Sequence, residues 1–133
     1  MKVLFVCTGN ACRSPVAEAL LKKLKPKIDV NSAGTHAYYR IVEIARDYLI
    51  SQKAEQYLKK VPEGLESKQL HNYDLIVAME TKHEKFIISR YPKCADKIVV
   101  WNIDDPYKLP EEYVESTFNN ILQKTKELAD SLI

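Results

Sequence analysis

The sequence predicts an α/β protein in which a parallel sheet carries helices on both faces. Three observations lead there. Four short strand-like runs, at 3–6, 28–31, 75–79 and 98–101, alternate with stretches whose apolar residues recur at helical spacing. The run Val3-Leu4-Phe5-Val6 is apolar without alternation, which suits a strand covered on both sides. Strands that follow one another through helices are parallel, and such crossovers are right-handed. The pattern alone leaves the strand order open.

Taken in order, the 3–6 strand lies centrally and feeds a loop. Ser14-Pro15 opens the first helix, with the hydroxyl as cap and the proline in the first turn, and Val16, Ala17, Leu20, Leu21 and Leu24 mark its buried face. Lys22, Lys23 and Lys25 suit the C-terminal end of that helix. After Pro26, residues 28–31 form the second strand, and Ser32-Ala33-Gly34-Thr35 is the loop leaving its carboxyl end, the edge where open α/β sheets bind ligands. Ile41, Ile44, Ala45, Tyr48 and Leu49 follow helical spacing over 40–52, and Ala54, Tyr57, Leu58 and Val61 repeat it, giving one bent helix or two before Pro62 and Gly64. Residues 75–79 are a third buried strand. Thr81-Lys82-His83-Glu84 is a capping box opening a helix that carries Phe86 and Ile87 inward and ends at Pro92. Residues 98–101 lead to Asp104-Asp105-Pro106, and Pro110 opens a last helix with the stripe Val114, Phe118, Ile121, Thr125, Leu128 and Leu132.

At 133 residues and 46% apolar content the chain, residues 1–133, is expected to form one domain around one core. Twenty Lys and Arg against 18 Asp and Glu give a formal charge of +2, too small to imply nucleic acid as a partner. Cys7, Cys12 and Cys94 are odd in number and lack metal-site spacing, so a reduced, cytoplasmic setting is expected rather than a disulfide framework. The apolar run near the start is too short for a signal peptide or a membrane span. His36, His71 and His83 are scattered without partners at ligand spacing, so neither a metal nor another cofactor is expected.

Chemistry concentrates in Cys7-Thr8-Gly9-Asn10-Ala11-Cys12-Arg13-Ser14, between a strand and a helix. A loop in that position turns backbone N–H groups inward, and the helix N-terminus adds roughly half a positive charge, so the cavity suits a tetrahedral anion. These dipoles and Arg13 favour the thiolate of Cys7 over its thiol. Six positions on, Arg13 offers parallel N–H donors to phosphate oxygens, which the amides from Thr8 to Arg13 complete. A cation at a helix start is otherwise unwelcome, and the anion that fits is a phosphate monoester of about −1.5 to −2 charge. Gly9 is expected to permit an unusual backbone conformation and Asn10 a left-handed one. Tyr107, with Tyr38 and Tyr39, is placed to wall a deep slot for an aromatic ring. Asp105 is the candidate general acid, with Asp104 its competitor.

Cys-x5-Arg-Ser-Pro directly after the first strand, with Gly9 and Asn10 in register and Asp105-Pro106-Tyr107 downstream, resembles the low-molecular-weight protein tyrosine phosphatases over most of the chain. The resemblance implies a flavodoxin-like three-layer sandwich with a four-stranded parallel sheet of order 2-1-3-4 and the Cys7 loop at its switch point. It implies a phosphocysteine formed on Cys7, phosphate held by Arg13 and the loop residues Thr8, Gly9, Asn10, Ala11, Cys12 and Ser14, and Asp105 as acid and then base. It further implies that Asn10 keeps the loop rigid, that the Ser14 hydroxyl stabilises the Cys7 thiolate, that Tyr38 helps set specificity, and that Cys12 can link reversibly to Cys7 on oxidation. The implied partner is a phosphotyrosine-containing protein, acted on by a monomer or weak dimer, without nucleic acid or membrane.

Departures from the family pattern touch the rim and its supports. Leu65 replaces a frequent histidine, Ser67-Lys68-Gln69 an Arg-Gln pattern, Glu80 a common aspartate, and Lys108 a second tyrosine; residues 40–61 are also atypical. Two alternatives have different requirements. A thioredoxin-coupled arsenate reductase resembles a different cysteine plan, with two further redox cysteines after the third strand. A catalytically silent phosphate-binding module has no need of Cys7, Arg13 and Asp105 together.

Overall fold

The computed structural model describes residues 1–132. Four strands, β1 Lys2–Cys7, β2 Asp29–Gly34, β3 Leu75–Ala78 and β4 Ile98–Val100, form one sheet in the order β2-β1-β3-β4. Every pairing is parallel. The helices are α1 Arg13–Leu24, α2 Glu43–Ser51, α3 Thr81–Arg90 and α4 Val114–Ser131. This is the flavodoxin-like α/β sandwich implied by the resemblance. Among the described residues no helix is long and apolar enough to cross a membrane.

The unbroken apolar character of β1 follows from its central place. Val3, Phe5 and Cys7 enter one core, with Leu20 and Leu21 of α1, Leu49 of α2 and Phe118 and Ile121 of α4. Leu4 and Val6 enter the other, with Ile76, Leu70 and Ile87 of α3. Both faces of one strand are thus dry, as continuous burial in a parallel sheet requires.

The structure corrects several expected boundaries. β2 continues through Ser32, Ala33 and Gly34, because the β1 ladder runs on to pair Cys7 with Gly34; this segment is strand, not loop. The helix expected over 40–52 begins only at Glu43, and the second amphipathic stretch makes only the 3₁₀ turn Glu55–Tyr57. The cause is local: Lys53 takes a left-handed φ of 56°, and the Ala54 and Lys53 amides close on the Leu49 and Ile50 carbonyls, a helix stop that turns the chain away. α3 is capped by Glu80 with His83 reciprocating, one residue earlier than the Thr81 and Glu84 pair expected. Pro110 opens a single 3₁₀ turn, Glu111–Tyr113, and α4 follows from Val114.

Candidate active site

The site lies at the carboxyl end of β1, where residues 8–12 cross to α1. The loop's carbonyls point outward. Those of Cys7, Thr8, Gly9 and Ala11 accept from the backbone amides of Thr35, His36, Tyr38 and Val42, at 2.8–3.0 Å. Its amides do the reverse: among the described residues the N–H groups from Thr8 to Arg13 meet no protein acceptor. An N–H group left dry costs about 1–3 kcal/mol, so a ring of them is stable only under water or an anion. With the positive end of α1 behind them, they form an anion cradle.

Arg13 is only 1% exposed. Its Nη1 donates to Glu80 Oε2 and, at 2.8 Å, to the Ile103 carbonyl, while Nη2 lies 4.0 Å from Asp105 Oδ2. Its Nε is buried and has no partner among the described residues. The guanidinium is therefore anchored on one side and unsatisfied on the other, the arrangement that a bidentate oxyanion completes. Burial pushes the Glu80 carboxyl up, but Arg13, Lys82 and His83 outweigh it and hold the group below the usual carboxylate range. The longer Glu80, where aspartate is frequent, thus serves as both helix cap and guanidinium anchor.

Cys7, Thr8, Gly9, Ala11, Cys12, Arg13, Asp105, Tyr38 and Tyr107 line one cavity, joined by Val42. Asp105 Oδ1 accepts from the Tyr107 amide at 3.0 Å, which fixes the carboxylate and leaves Oδ2 toward Arg13. Asp104 lines only a neighbouring cleft, with Glu80, Lys82 and Lys108, which Asp105 also borders. Tyr39, 99% exposed, does not reach the cavity and leaves Tyr38 and Tyr107 as its aromatic walls.

Three expectations about the loop are corrected. Asn10 and Ser14 do not present side chains to the cavity; both are fully buried beneath it. Asn10, at φ 52°, donates from Nδ2 to Ser14 Oγ at 2.8 Å and to Ser32 Oγ at 2.9 Å, and Ser14 Oγ lies 2.9 Å from Cys7 Sγ. Ser14 is therefore not the helix cap, a position held by Cys12 without a side-chain bond. Gly9 has no positive φ; a Cβ there would fall 2.7 Å from the Tyr38 ring, so glycine admits the tyrosine rather than a strained backbone.

Several supports escaped the sequence reading. Gly34 passes so close that a Cβ would come 2.5 Å from the Thr8 carbonyl oxygen and 2.8 Å from the Asn10 nitrogen. His83, which the sequence leaves without a partner at ligand spacing, is buried and sits 2.8 Å from Thr8 Oγ1 through Nε2. Its Nδ1 accepts from the Glu80 amide, so the neutral ring carries its proton on Nε2 and donates it to Thr8. Burial, then Arg13, lowers its pKa from 6.5 to about 4. Buried Glu18 accepts from Ser32 Oγ and Lys22 Nζ. A carboxylate set among Val16, Ala17, Ala19 and Leu20 was the available signal, since a charge in an apolar stripe needs partners. Cys12 is held as a thiol, its pKa raised by burial, then by Cys7 and Asp105, against Arg13. Cys94 packs into the opposite core from Cys7.

A parallel α/β sheet with an amide cradle, a thiol and an anchored guanidinium at its carboxyl edge has the form of a phosphoric monoester hydrolase. The chain belongs to the low molecular weight phosphotyrosine protein phosphatase family, whose family model matches residues 2–133. It is similar to the Etp low molecular weight protein-tyrosine-phosphatase of Escherichia coli K12, 30% identical over 98% of this chain and 93% of that one. It is also similar to a protein-arginine-phosphatase of Bacillus subtilis, 30% identical over 92% of this chain and 78% of that one. Among solved structures, Vibrio vulnificus Wzb in complex with benzylphosphonate superposes with a TM-score of 0.89 at 27% identity, covering 98% of each chain. A C7S mutant of YwlE arginine phosphatase, its active-site serine phosphorylated, gives 0.88 at 27% identity, over 99% of this chain and 95% of that one.

Proposed function

We propose that this phosphatase hydrolyses phosphotyrosine and aryl phosphate monoesters in two steps. Cys7 Sγ attacks phosphorus while the cradle amides and Arg13 bind the non-bridging oxygens, and protonated Asp105 gives its proton to the departing phenolate oxygen. The Asp105 carboxylate then takes a proton from water as that water attacks the phosphocysteine. Phosphate leaves, and the returning thiolate accepts the Ser14 hydroxyl proton as a hydrogen bond. The observation that carries this reading is the ring of unsatisfied amides and the unpartnered Arg13 Nε around one sulfur. That Wzb takes benzylphosphonate, and that a serine at the YwlE active site becomes phosphorylated, support the substrate shape and the covalent step by analogy.

The aromatic and apolar walls, Tyr38, Tyr107 and Val42, suit a flat aromatic ring as the group carrying phosphate, the shape that benzylphosphonate presents to Wzb. The protein-arginine-phosphatase relative gives the second reading, phosphoarginine. Hydrolysis of peptides carrying phosphotyrosine, phosphoserine and phosphoarginine, by wild type and Cys7→Ser, separates the two. Phosphotyrosine turnover is expected to lead and to vanish in the variant; retained activity in Cys7→Ser removes the mechanism, and faster phosphoarginine cleavage replaces the substrate. The same reading has residues 1–133 acting as one domain, in the cytoplasm, as a monomer or weak dimer on a phosphotyrosine-containing protein. Under peroxide, Cys7 and Cys12 are proposed to join with loss of two hydrogens, the oxidant being reduced to water; an intact mass lacking that loss would refute the pairing.

A further inference from the structure

Lys59 follows the Glu55–Tyr57 turn in a stretch without regular structure, yet its side chain is only 9% exposed. Its ammonium has three protons and three acceptors. Nζ lies 2.6 Å from Asn10 Oδ1, 2.9 Å from the Ser32 carbonyl and 2.8 Å from Glu63 Oε1. Ser32 Oγ lies further off, at 3.4 Å. Glu63 in turn pairs with Lys68 at 3.1 Å. Burial lowers the Lys59 pKa, Glu63 and Glu18 oppose that, and Lys68 adds to it. None of the steps assigned to Cys7, Arg13 and Asp105 calls for this cation.

Its effect is on direction. An asparagine amide can sit in a site either way round, and the two orientations exchange donor for acceptor. Lys59 Nζ and the Glu63 backbone N–H, 2.8 Å from Oδ1, only donate, so both demand the oxygen of Asn10. The NH₂ group must then face Ser14 and Ser32. Ser14 Oγ, having accepted from Asn10, keeps its own proton for Cys7 Sγ at 2.9 Å. Ser32 likewise passes its proton to Glu18. We infer that Lys59 is a positioning residue: together with the Glu63 amide, its charge sets the polarity of the Asn10–Ser14 chain so that a hydroxyl proton is aimed at the Cys7 sulfur.

This rests on Cys7 as the nucleophile, and the experiment separates the two. Iodoacetamide alkylation of Cys7, assigned by peptide mass, is followed against pH in wild type and Lys59→Met, beside kcat and KM for p-nitrophenyl phosphate. The groups facing Cys7 (Arg13, Asp105 and Cys12) and those facing Lys59 (Glu63, Glu18 and Lys68) are unchanged in the variant. The midpoint of Cys7 alkylation is expected to move up by about half to one pH unit. kcat is expected to fall about tenfold with KM within threefold, as the loss of an interaction used by the departing thiolate requires. Lys59→Gln, which keeps a donor without the charge, is expected to regain part of kcat, and it carries the same measurement if Lys59→Met does not fold. An unmoved midpoint overturns the inference, even with reduced kcat, because that pattern marks a merely structural lysine. A wild-type Cys7 that resists alkylation at neutral pH overturns the nucleophile reading, and this one with it.

Discussion

The two sides of the Cys7 loop differ in how their polar groups are met. Above, the amides from Thr8 to Arg13 and the Nε of Arg13 have no protein partner among the described residues. Below, Asn10, Ser14, Ser32, Glu18 and Lys59 satisfy one another at 2.5–2.9 Å. The difference teaches how a loop without regular structure can hold unsatisfied donors in place: the lower face is closed tightly enough that the upper one stays open for a ligand. Preorganised donors of this kind need no rearrangement as charge develops, which is where their catalytic value lies.

Breaking the upper side should cost most. Asp105→Asn keeps the bond to the Tyr107 amide but loses the transferable proton, and kcat on phosphotyrosine peptides is expected to fall about 10²–10⁴-fold. The loss should shrink for aryl phosphates with acidic leaving groups, which need no acid; an equal loss on every substrate would assign Asp105 to binding instead. Asp104→Asn, whose side chain does not line the Cys7 cavity, should leave activity near wild type.

Gly34→Ala attacks the boundary between the two sides. The added methyl meets loop backbone rather than a movable side chain, so the cradle must shift, and misplacement of that order costs about 10²-fold. Steady-state kinetics and phosphate affinity should fall together in a chain that remains folded by circular dichroism. Unchanged phosphate affinity would show that the loop yields without losing its geometry.

The smallest effect belongs to His83, which ties the Glu80 end of α3 to Thr8. Its ordinary pKa of 6.5 drops to about 4 in the folded chain. As pH falls from about 6.5 to 4, the unfolded chain binds a proton that the folded one refuses, so stability is present in full above that window and is lost through it. Thermal unfolding followed across pH 4–7 should show this slope, flattened in His83→Phe. A variant with the wild-type slope would place the acid sensitivity on the carboxylates.

What sequence reveals of this site divides along the same line. Cys7, Arg13 and the residues between them are contiguous, and their spacing after an unbroken apolar strand expresses both nucleophile and cradle. The supports come from far along the chain. Lys59 sits beside Lys60 in a run that reads as solvated charge, Glu63 follows a proline that reads as a turn, and Gly34 belongs to a strand whose sequence, Asp29 to Gly34, is only half apolar. Their meaning depends on the pairing of β2 with β1, which local periodicity does not encode. The Schellman stop at Lys53 was similarly hidden, because lysine does not announce a left-handed residue as glycine does.

The four amides of the 35–42 strip that hold the loop's carbonyls give the catalytic centre an outer mould. Since it grips only main-chain oxygens, the side chains displayed on its outside are free to drift without disturbing the chemistry. Side chains outside this grip can therefore be exchanged while the loop keeps the geometry that the sheet sets for it.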